Sequence, residues 1–305
     1  MIEVNNLTVR YHDFCAVNNI SFRVKQNEIL GIIGLNGAGK TSMIECIEGL
    51  RMATSGKIRV CGLDPEKDRT KLHKEIGIQL QDTIYQANAR VNELCQLFSS
   101  FYDTPEPYEN LLKMMNIYDK RKSRVSKLSG GQKQKLSIVL ALIGKPKVLF
   151  LDELTTGLDP IARRDMWKLI QVMRNQGITI VLISHFMDEV QTVCDRVAIM
   201  NQGEIAAIGT IQEVVANMHL KEKLLLTTES NIEYLMSHIK EIDHIERTDK
   251  QVSIWGSGSN FFPAVMSFLE KNHVPYSEID IQKPNLEDAF FKIVGQPLNA
   301  EEKEA

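Results

Sequence analysis

Long apolar runs, an excess of basic charge and a signal peptide are all missing from this sequence of 305 residues. Without a run of about 18 consecutive apolar residues, no segment is predicted to span a bilayer. The formal net charge of −3 gives no reason to expect a nucleic-acid partner, because nucleic acids select basic patches. The opening residues Met1–Val4 lack the basic and apolar regions of a signal peptide.

Paired cysteines are missing as well. The five cysteines are scattered along the chain without a Cys-x-x-Cys pair. This usage is typical of a reducing compartment and argues against a disulfide framework, so we expect a cytosolic protein. The remaining composition is ordinary for a soluble globular protein, with 43% hydrophobic and 25% charged residues. A chain of this length suggests two domains.

Strand-like apolar runs alternate with helical patterns between residues 29 and 199. This alternation predicts an α/β fold with a mainly parallel sheet flanked by helices. Core strands are expected at Val148–Asp152 and Ile178–Ser184, joined by a helix near Ile161–Asn175. The segment Asn201-Gln202-Gly203 is predicted to be a hairpin turn between two further strands.

Two other regions depart from this alternation. Residues from about 85 to 145 are predicted to be mainly helical, with helices near Glu93–Phe101 and Tyr108–Ile117 and another one after Gln132. After about residue 220 the pattern becomes strand-helix-strand-strand-helix-strand-helix, which suggests a small split α/β unit.

The last predicted helix of this unit, Leu286–Ile293, follows an Asn285-x-x-Asp288 pattern typical of a helix start. The mostly acidic residues 300–305 are expected to form a frayed tail. We therefore predict one domain over residues 1–220 and an accessory or regulatory domain over 221–305.

A phosphate-binding loop is the first motif with a chemical meaning. Gly34–Thr41 fits the pattern G-x-x-x-x-G-K-[ST] and lies between a predicted strand and a predicted helix. Backbone N–H groups of such a loop point at nucleotide phosphates, and the following helix adds its positive N-terminal end. Lys40 is expected to reach the β- and γ-phosphates and the Thr41 hydroxyl to ligate Mg²⁺. The predicted nucleotide-binding residues here are Gly34, Leu35, Asn36, Gly37, Ala38, Gly39, Lys40, Thr41 and Ser42.

Two adjacent carboxylates, Asp152 and Glu153, follow the apolar run Val148–Leu151. A strand that ends in aspartate places its carboxylate beside the phosphate-binding loop, where it can hold Mg²⁺ directly or through water. Glu153 would then face the γ-phosphate and act as general base toward the attacking water. Taken alone, the pair could also be an ordinary acidic exit from a strand.

The stretch Leu128-Ser129-Gly130-Gly131-Gln132 resembles the signature of ATP-binding-cassette (ABC) ATPases, and the resemblance covers roughly the first 220 residues. It implies a P-loop core with an inserted helical subdomain that carries the signature at its tip. It also implies that two such domains meet head to tail. Ser129, Gly130, Gly131 and Gln132 would then contact the ATP bound by the other chain.

The same resemblance assigns roles to isolated residues. Thr155–Pro160 resembles the family's D-loop, in which Asp159 belongs to the contact with the partner, and His185 corresponds to the switch histidine. Gln81 matches the glutamine of the Q-loop, a Mg²⁺ or water ligand. The nearby Gln79 is the alternative, but the Ile-Gly-x-x-x-Gln spacing favours Gln81. Tyr11 stands where the family has an aromatic residue that stacks on adenine, which is the favoured role; the alternative is a tyrosine that fills a sheet edge.

The implied function is Mg²⁺-dependent ATP hydrolysis that drives a separate membrane permease from its cytoplasmic face, with a second ABC chain as partner. The run 152–160 and the tail 285–290 resemble bacterial ABC-2-type exporters of drugs, peptides or lipids. The alternatives are a soluble ABC protein acting on ribosomes or DNA, and a degenerate cassette that binds ATP without hydrolysing it. Glu153 and His185 argue against the degenerate cassette.

Overall fold

The computed structural model describes residues 1–79, 88–258 and 260–295. The chain divides into two compact units, the first ending at Ile211 and the second beginning at Gln212. The division lies a few residues before the expected boundary at 220, because the helix that precedes the change of sequence pattern is grouped with the second unit. Among the described residues, no helix combines the length and the apolar character needed to cross a membrane.

The described residues of the first unit form nine strands. They are β1 (Ile2–Tyr11), β2 (Phe14–Val24), β3 (Ile29–Gly34), β4 (Ser55–Val60), β5 (Ile76–Gln79), β6 (Val148–Asp152), β7 (Thr179–Ile183), β8 (Arg196–Asn201) and β9 (Glu204–Gly209). The helices are α1 (Lys40–Ile47), α2 (Arg69–Glu75), α3 (Val91–Ser99), α4 (Tyr108–Met114), α5 (Gly130–Leu142), α6 (Pro160–Asn175), α7 (Met187–Val193) and, across the division between the units, α8 (Ile211–Asn217).

A six-stranded sheet with the order β5-β6-β7-β3-β8-β9 forms the centre of this unit. Its strands are parallel except β9, which runs antiparallel to β8. Every residue of β3 and β7 is buried, as expected for strands covered on both faces. The predicted α/β fold is therefore confirmed. The turn between β8 and β9 contains Gln202 and Gly203, both with positive φ, which is the geometry of the predicted hairpin.

A second, antiparallel sheet has the order β2-β1-β4. Helix α1 contributes Met43, Ile44 and Ile47 to one apolar core that also includes Val4 of β1 and Leu30 of β3. The helix that follows the phosphate-binding loop is thus fixed by side chains of both sheets. This packing determines where the loop before α1 lies.

Helices α3, α4 and α5 pack together around a core on the other face of the main sheet. The helix expected after Gln132 begins earlier, at Gly130. The reason is that Ser129 caps the helix: its hydroxyl accepts a hydrogen bond from Gln132 N, and the Gln132 side chain bonds back to Ser129 N. Gln132 is therefore in the first turn and does not precede the helix.

The second unit contains four antiparallel strands in the order β11-β12-β10-β13. The elements are β10 (Glu222–Thr227), α9 (Glu233–Met236), β11 (Ile242–Thr248), β12 (Gln251–Gly256), α10 (Phe261–Lys271), β13 (Ser277–Gln282) and α11 (Leu286–Val294). This order of strands and helices is the predicted one. The helix expected over 232–239 is much shorter, because the side chains of Ser237 and His238 take the Tyr234 carbonyl that a longer helix would use.

Candidate nucleotide site

The loop between β3 and α1 has the shape of a phosphate cradle. Gly37 and Gly39 have φ values of 81° and 97°, a region that favours glycine. A Cβ atom on Gly39 would lie 2.2 Å from the carbonyl oxygen of Ala16, so no larger residue fits there. The Lys40 ammonium folds back over the loop and donates to the carbonyl oxygens of Gly34 at 2.7 Å and Leu35 at 3.0 Å.

Two carboxylates act on this lysine. Burial lowers the pKa of Lys40, and the charges of Glu153 and Asp152 oppose the shift. Burial also raises the pKa of Asp152, with Glu153 acting in the same direction and Lys40 against it. The structure therefore brings together, in one desolvated place, the lysine of the loop and both acids at the end of β6.

Parallel pairing explains this convergence. Asp152 at the end of β6 is in register with Ile183 at the end of β7, and Ile32 of β3 is in register with the same Ile183. The carboxyl ends of parallel strands thus meet at one edge of the sheet, where ligands of α/β proteins bind. His185, the second residue after β7, lies at this edge for the same reason.

Glu153 is in direct contact with the predicted switch histidine. Its Oε1 atom lies 3.3 Å from Nδ1 of His185. Glu153 has a φ of 47°, which is uncommon outside glycine, and such backbone strain is concentrated at functional sites. Its backbone N–H donates to Ile183 O at 2.9 Å, which anchors this conformation to β7.

Thr41 and Asp152, the two predicted Mg²⁺ ligands within the described residues, line the same cavity of about 80 Å³. A hydroxyl and a carboxylate are hard oxygen donors of the kind that Mg²⁺ selects. No cluster of three or more His, Cys, Asp or Glu residues in the described ranges could hold a metal ion by itself. Mg²⁺ in nucleotide sites usually takes one or two protein carboxylates and completes its shell with phosphate oxygens and water.

Gln81, the predicted Q-loop residue, lies outside the described residues. Its alternative, Gln79, is the last residue of β5, is buried, and accepts a hydrogen bond from Asp152 N at 3.2 Å. Gln79 therefore fixes the backbone at the end of β6.

Tyr11 ends β1 beside the start of α1. Its hydroxyl lies 2.9 Å from the Ser42 hydroxyl, and the Arg51 guanidinium lies 4.7 Å from the centre of its ring. Arg51 in turn forms a 2.6 Å ion pair with Glu45. One hydrogen bond and one cation–π contact thus orient a partly exposed aromatic ring next to the phosphate-binding loop. The sequence did not suggest Arg51, because it follows α1 without a motif.

The signature residues form a separate group. Ser129 caps α5, and Gly130 and Gly131 open it. Within the described part of the chain, no hydrogen bond joins them to the phosphate-binding loop. A hydroxyl that accepts a capping bond still has its own hydrogen to donate, so Ser129 can cap α5 and bind an outside acceptor at the same time.

The loop after β6 lies next to the signature helix. The Gln134 amide donates to Thr156 O at 3.1 Å. Asp159 caps α6, with its Oδ1 atom accepting hydrogen bonds from Ile161 N and Ala162 N at 3.0 and 2.9 Å. The Asp159 side chain thus shapes the loop from within.

Glu48 is a feature of the site that the sequence did not suggest. It is buried and lines the cavity shared by Thr41 and Asp152. Burial raises the pKa of Glu48 to about 8, and Asp152 and Glu45 add to the shift. The sequence spacing could have indicated this position. Glu48, the residue that ends α1, lies two helical turns after Thr41 and therefore on the same side of the helix.

The sequence of this chain is similar to those of known proteins. A family model described as ABC transporter matches residues 17–156. The chain is 29% identical to the linearmycin resistance ATP-binding protein LnrL of Bacillus subtilis (strain 168), over 98% of this chain and 99% of LnrL. It is 36% identical to the methionine import ATP-binding protein MetN of Escherichia coli (strain K12), over 71% of this chain and 67% of MetN.

A solved structure of an ATP-binding subunit of an ABC transporter matches with a TM-score of 0.66 and 26% identity, covering 72% of this chain and 93% of that one. Some other relatives are longer proteins, of whose length this chain spans 25% to 38%.

Proposed function

We propose, from the premise that this chain belongs to the ABC transporter family of ATP-binding proteins, that it powers an exporter by working on a separate membrane permease. As a member of this family, the chain is an ATP-binding subunit of a transporter and an ATPase. The export direction, the permease and the roles of individual residues are the parts that we propose.

In the proposed reaction the loop Gly34–Gly39 and Lys40 bind the phosphates of ATP. Thr41 and Asp152 would hold Mg²⁺, which neutralises phosphate charge when it is bound. Glu153 takes the proton of the attacking water, and His185 orients the carboxylate of Glu153, since the two side chains are 3.3 Å apart. This contact, at the edge of the sheet that also carries the phosphate loop, is the observation that carries the assignment of hydrolysis. Gln81 is proposed as a further ligand of Mg²⁺ or of the water.

A second chain completes the site. We propose that Ser129, Gly130, Gly131 and Gln132 bind the γ-phosphate of an ATP held by the partner, and that Asp159 lies at the same contact. The argument is electrostatic: the N-terminus of α5 presents unpaired backbone N–H groups and a positive dipole end. A phosphate supplied by a partner chain would satisfy them.

The length of the similarity to LnrL favours export. That similarity extends over 98% of this chain and so includes its second unit, whereas the similarity to MetN covers 71%. LnrL is a resistance protein by name, which agrees with export of a drug-like or lipid-like compound. The higher identity to MetN favours import as the second candidate. We place the protein at the cytoplasmic face of a membrane, held there by its permease.

Transport direction distinguishes these candidates. The chain and its permease are co-produced in a drug-sensitive host, and the cellular content of a fluorescent amphipathic compound is measured. If the protein drives export, cells with the wild type should contain less of the compound than cells with Lys40→Ala, because that variant loses the contact with the ATP phosphates. A content that rises with the wild type would support import, and equal contents in both strains would contradict transport of that compound.

Hydrolysis is tested separately from transport. Purified chain with Mg²⁺ and ATP should release phosphate, and Lys40→Ala should not. Lys145→Ala is a matched control, because Lys145 lies before β6, at the opposite edge of the sheet. Turnover by Lys40→Ala at the wild-type rate would overturn the assignment of the nucleotide site.

A further inference from the structure

The segment after β7 and the helix after the D-loop meet at one buried carboxylate, that of Glu189. This residue lies in α7 and has no exposed surface. Its Oε2 atom accepts a hydrogen bond from Ser184 Oγ at 2.5 Å, and its Oε1 atom accepts one from Trp167 Nε1 at 3.2 Å. Ser184 directly precedes His185, and Trp167 lies in α6. A single side chain therefore connects the histidine segment to α6.

Ser184 transmits this connection to the backbone on both sides of His185. While it donates to Glu189, its Oγ atom accepts a hydrogen bond from Phe186 N at 3.1 Å. The backbone N–H of Ser184 also bonds to Ile32 O of β3 at 3.3 Å. The residues before and after His185 are therefore both held by Ser184, and the orientation of Ser184 is set by Glu189.

Thr155 extends the connection toward Glu153. Its side chain is fully buried two residues after Glu153. Burial raises the pKa of the Glu189 carboxyl, and the nearby Thr155 hydroxyl is one of the groups that oppose this shift. The contact is not a formed hydrogen bond, because Thr155 Oγ1 has no hydrogen-bond partner within the described residues. A buried hydroxyl without a partner costs free energy. A small movement of the loop that carries Thr155 toward Glu189 would therefore be stabilised by a new hydrogen bond.

A second contact ties the same two segments together. The Arg163 guanidinium of α6 lies 4.2 Å from the centre of the Phe186 ring and 3.5 Å from the Asp188 carboxylate. Arg163 and Trp167, which lie one helical turn apart on α6, thus both bind residues that follow β7. A displacement of α6 or of the loop before it must reach this segment.

We propose that Glu189 is a positioning residue of the ATPase: it keeps His185 aligned with Glu153 and couples the histidine to movement of the D-loop. The inference rests on the roles proposed above for Glu153 and His185. Within the described residues, no hydrogen bond joins the Glu189 side chain to the phosphate-binding loop, so its effect is exerted through Ser184, Trp167 and Thr155.

Steady-state kinetics of the full chain test this role. Glu189→Gln keeps the shape but removes one acceptor, and should lower kcat about 10-fold, with about 100-fold as the limit for Glu189→Ala. The KM for ATP should stay within about twofold, because Lys40 and the glycine loop are unchanged. Trp167→Phe, which removes the indole donor and keeps an aromatic ring, should also lower kcat. Asp165→Asn is the control, since Asp165 is exposed on α6 and pairs with Lys168.

A spectroscopic readout separates positioning from simple stability. The chain has two tryptophans, and Trp255→Phe removes the one that lies in β12 of the second unit. In Trp255→Phe/Glu153→Gln protein, Trp167 emission should shift when Mg²⁺ and ATP are added. Introducing Glu189→Gln should abolish that shift while binding of a fluorescent ATP analogue persists. The same emission response with and without Glu189→Gln would overturn the proposal.

The outcomes distinguish this inference from the proposed function. If Lys40→Ala is inactive and Glu189→Gln keeps wild-type kcat, only the role of Glu189 is wrong. If Glu189→Gln merely lowers the unfolding midpoint and its folded fraction turns over normally, Glu189 is structural and the proposal is also wrong. If Lys40→Ala itself turns over normally, the function proposed for the nucleotide site fails.

Discussion

The Nδ1 atom of His185 lies 3.3 Å from the Oε1 atom of Glu153, and the two residues follow neighbouring parallel strands. Neither residue is near the other in sequence, and the contact exists because β6 and β7 end at the same level of the sheet. The contact orients the carboxylate of Glu153, whose own backbone has a positive φ.

Replacing Glu153 with glutamine should stop turnover and preserve ATP binding. The amide cannot accept the proton of the attacking water, whereas Lys40 and the loop still bind the phosphates. Phosphate release should fall by about 10²- to 10⁴-fold, and ATP-bound dimers should accumulate in size-exclusion chromatography with light scattering. Near wild-type phosphate release by this variant would remove Glu153 from the reaction. Asp165→Asn provides a charge-matched control.

Much of the fold could be predicted because local pattern and tertiary position agree. The strand Val148–Asp152 is a continuous apolar run that ends in an acid, and its observed bounds are the predicted ones. Strand β4, Ser55–Val60, was missed because only Ile58 and Val60 in it are buried. Its pairing partner β1 lies far away in sequence, so no local signal marks it.

The candidate site was predictable where a motif carries the chemistry, as in Gly34–Thr41. Arg51 and Glu189 were not suggested, because each acquires its role from a neighbour on another element: the ring of Tyr11 and the hydroxyl of Ser184. Such contacts depend on side-chain packing, which a single sequence does not display.

Glu48 should make stability depend on pH in an unusual direction. Burial raises the pKa of Glu48 from 4.5 to about 8, so between these values the folded protein holds a proton that the unfolded chain releases. The contribution of Glu48 to the free energy of unfolding is therefore fully present below about pH 4.5 and is lost as the pH rises through about 8. Denaturant titrations at pH 5, 7 and 9, without nucleotide and with EDTA, measure this dependence.

Glu48→Gln should flatten that dependence, because the amide stays neutral. At pH 9 the variant should be more stable than the wild type by about 1 kcal/mol or more, and at pH 5 the difference should be small. Glu3→Gln is the matched control, because Glu3 is exposed on β1 and lies 3.9 Å from the Arg23 guanidinium, away from Glu48. An equal difference between wild type and Glu48→Gln at all three pH values would show that Glu48 does not titrate in this window.

Tyr11 should contribute to ATP affinity through its ring more than through its hydroxyl. Tyr11→Ala removes a stacking surface worth about 1–3 kcal/mol and should raise the KM for ATP about 5- to 150-fold. Tyr11→Phe removes only the 2.9 Å hydrogen bond to Ser42, so it should have a smaller effect. A KM in Tyr11→Ala equal to that of Tyr11→Phe would show that adenine does not stack on this ring.

Mixing two inactive variants should restore activity if each site is shared between two chains. In a head-to-tail homodimer of Lys40→Ala with Ser129→Arg, one interface carries both changes and the other is intact. Random mixing should therefore recover about a quarter of the wild-type phosphate release. A mixture no more active than its components would indicate coupled sites or a native heterodimer. Full activity of an isolated monomer would contradict the shared site altogether.

Removing the residues after Leu220 should separate nucleotide binding from regulation. All described residues of the candidate site lie before Ile211, and the two apolar cores of the first unit are built from residues of that unit alone. The shortened chain should therefore fold and bind a fluorescent ATP analogue with wild-type affinity. Dimer formation with ATP, permease-coupled turnover or the unfolding midpoint should decrease, because the second unit, with its own core around Leu224, Ile254 and Phe261, is proposed to act on these properties. Circular dichroism and gel filtration establish folding before affinity is compared. A folded, shortened chain that loses ATP affinity would show that the second unit contributes to the nucleotide site.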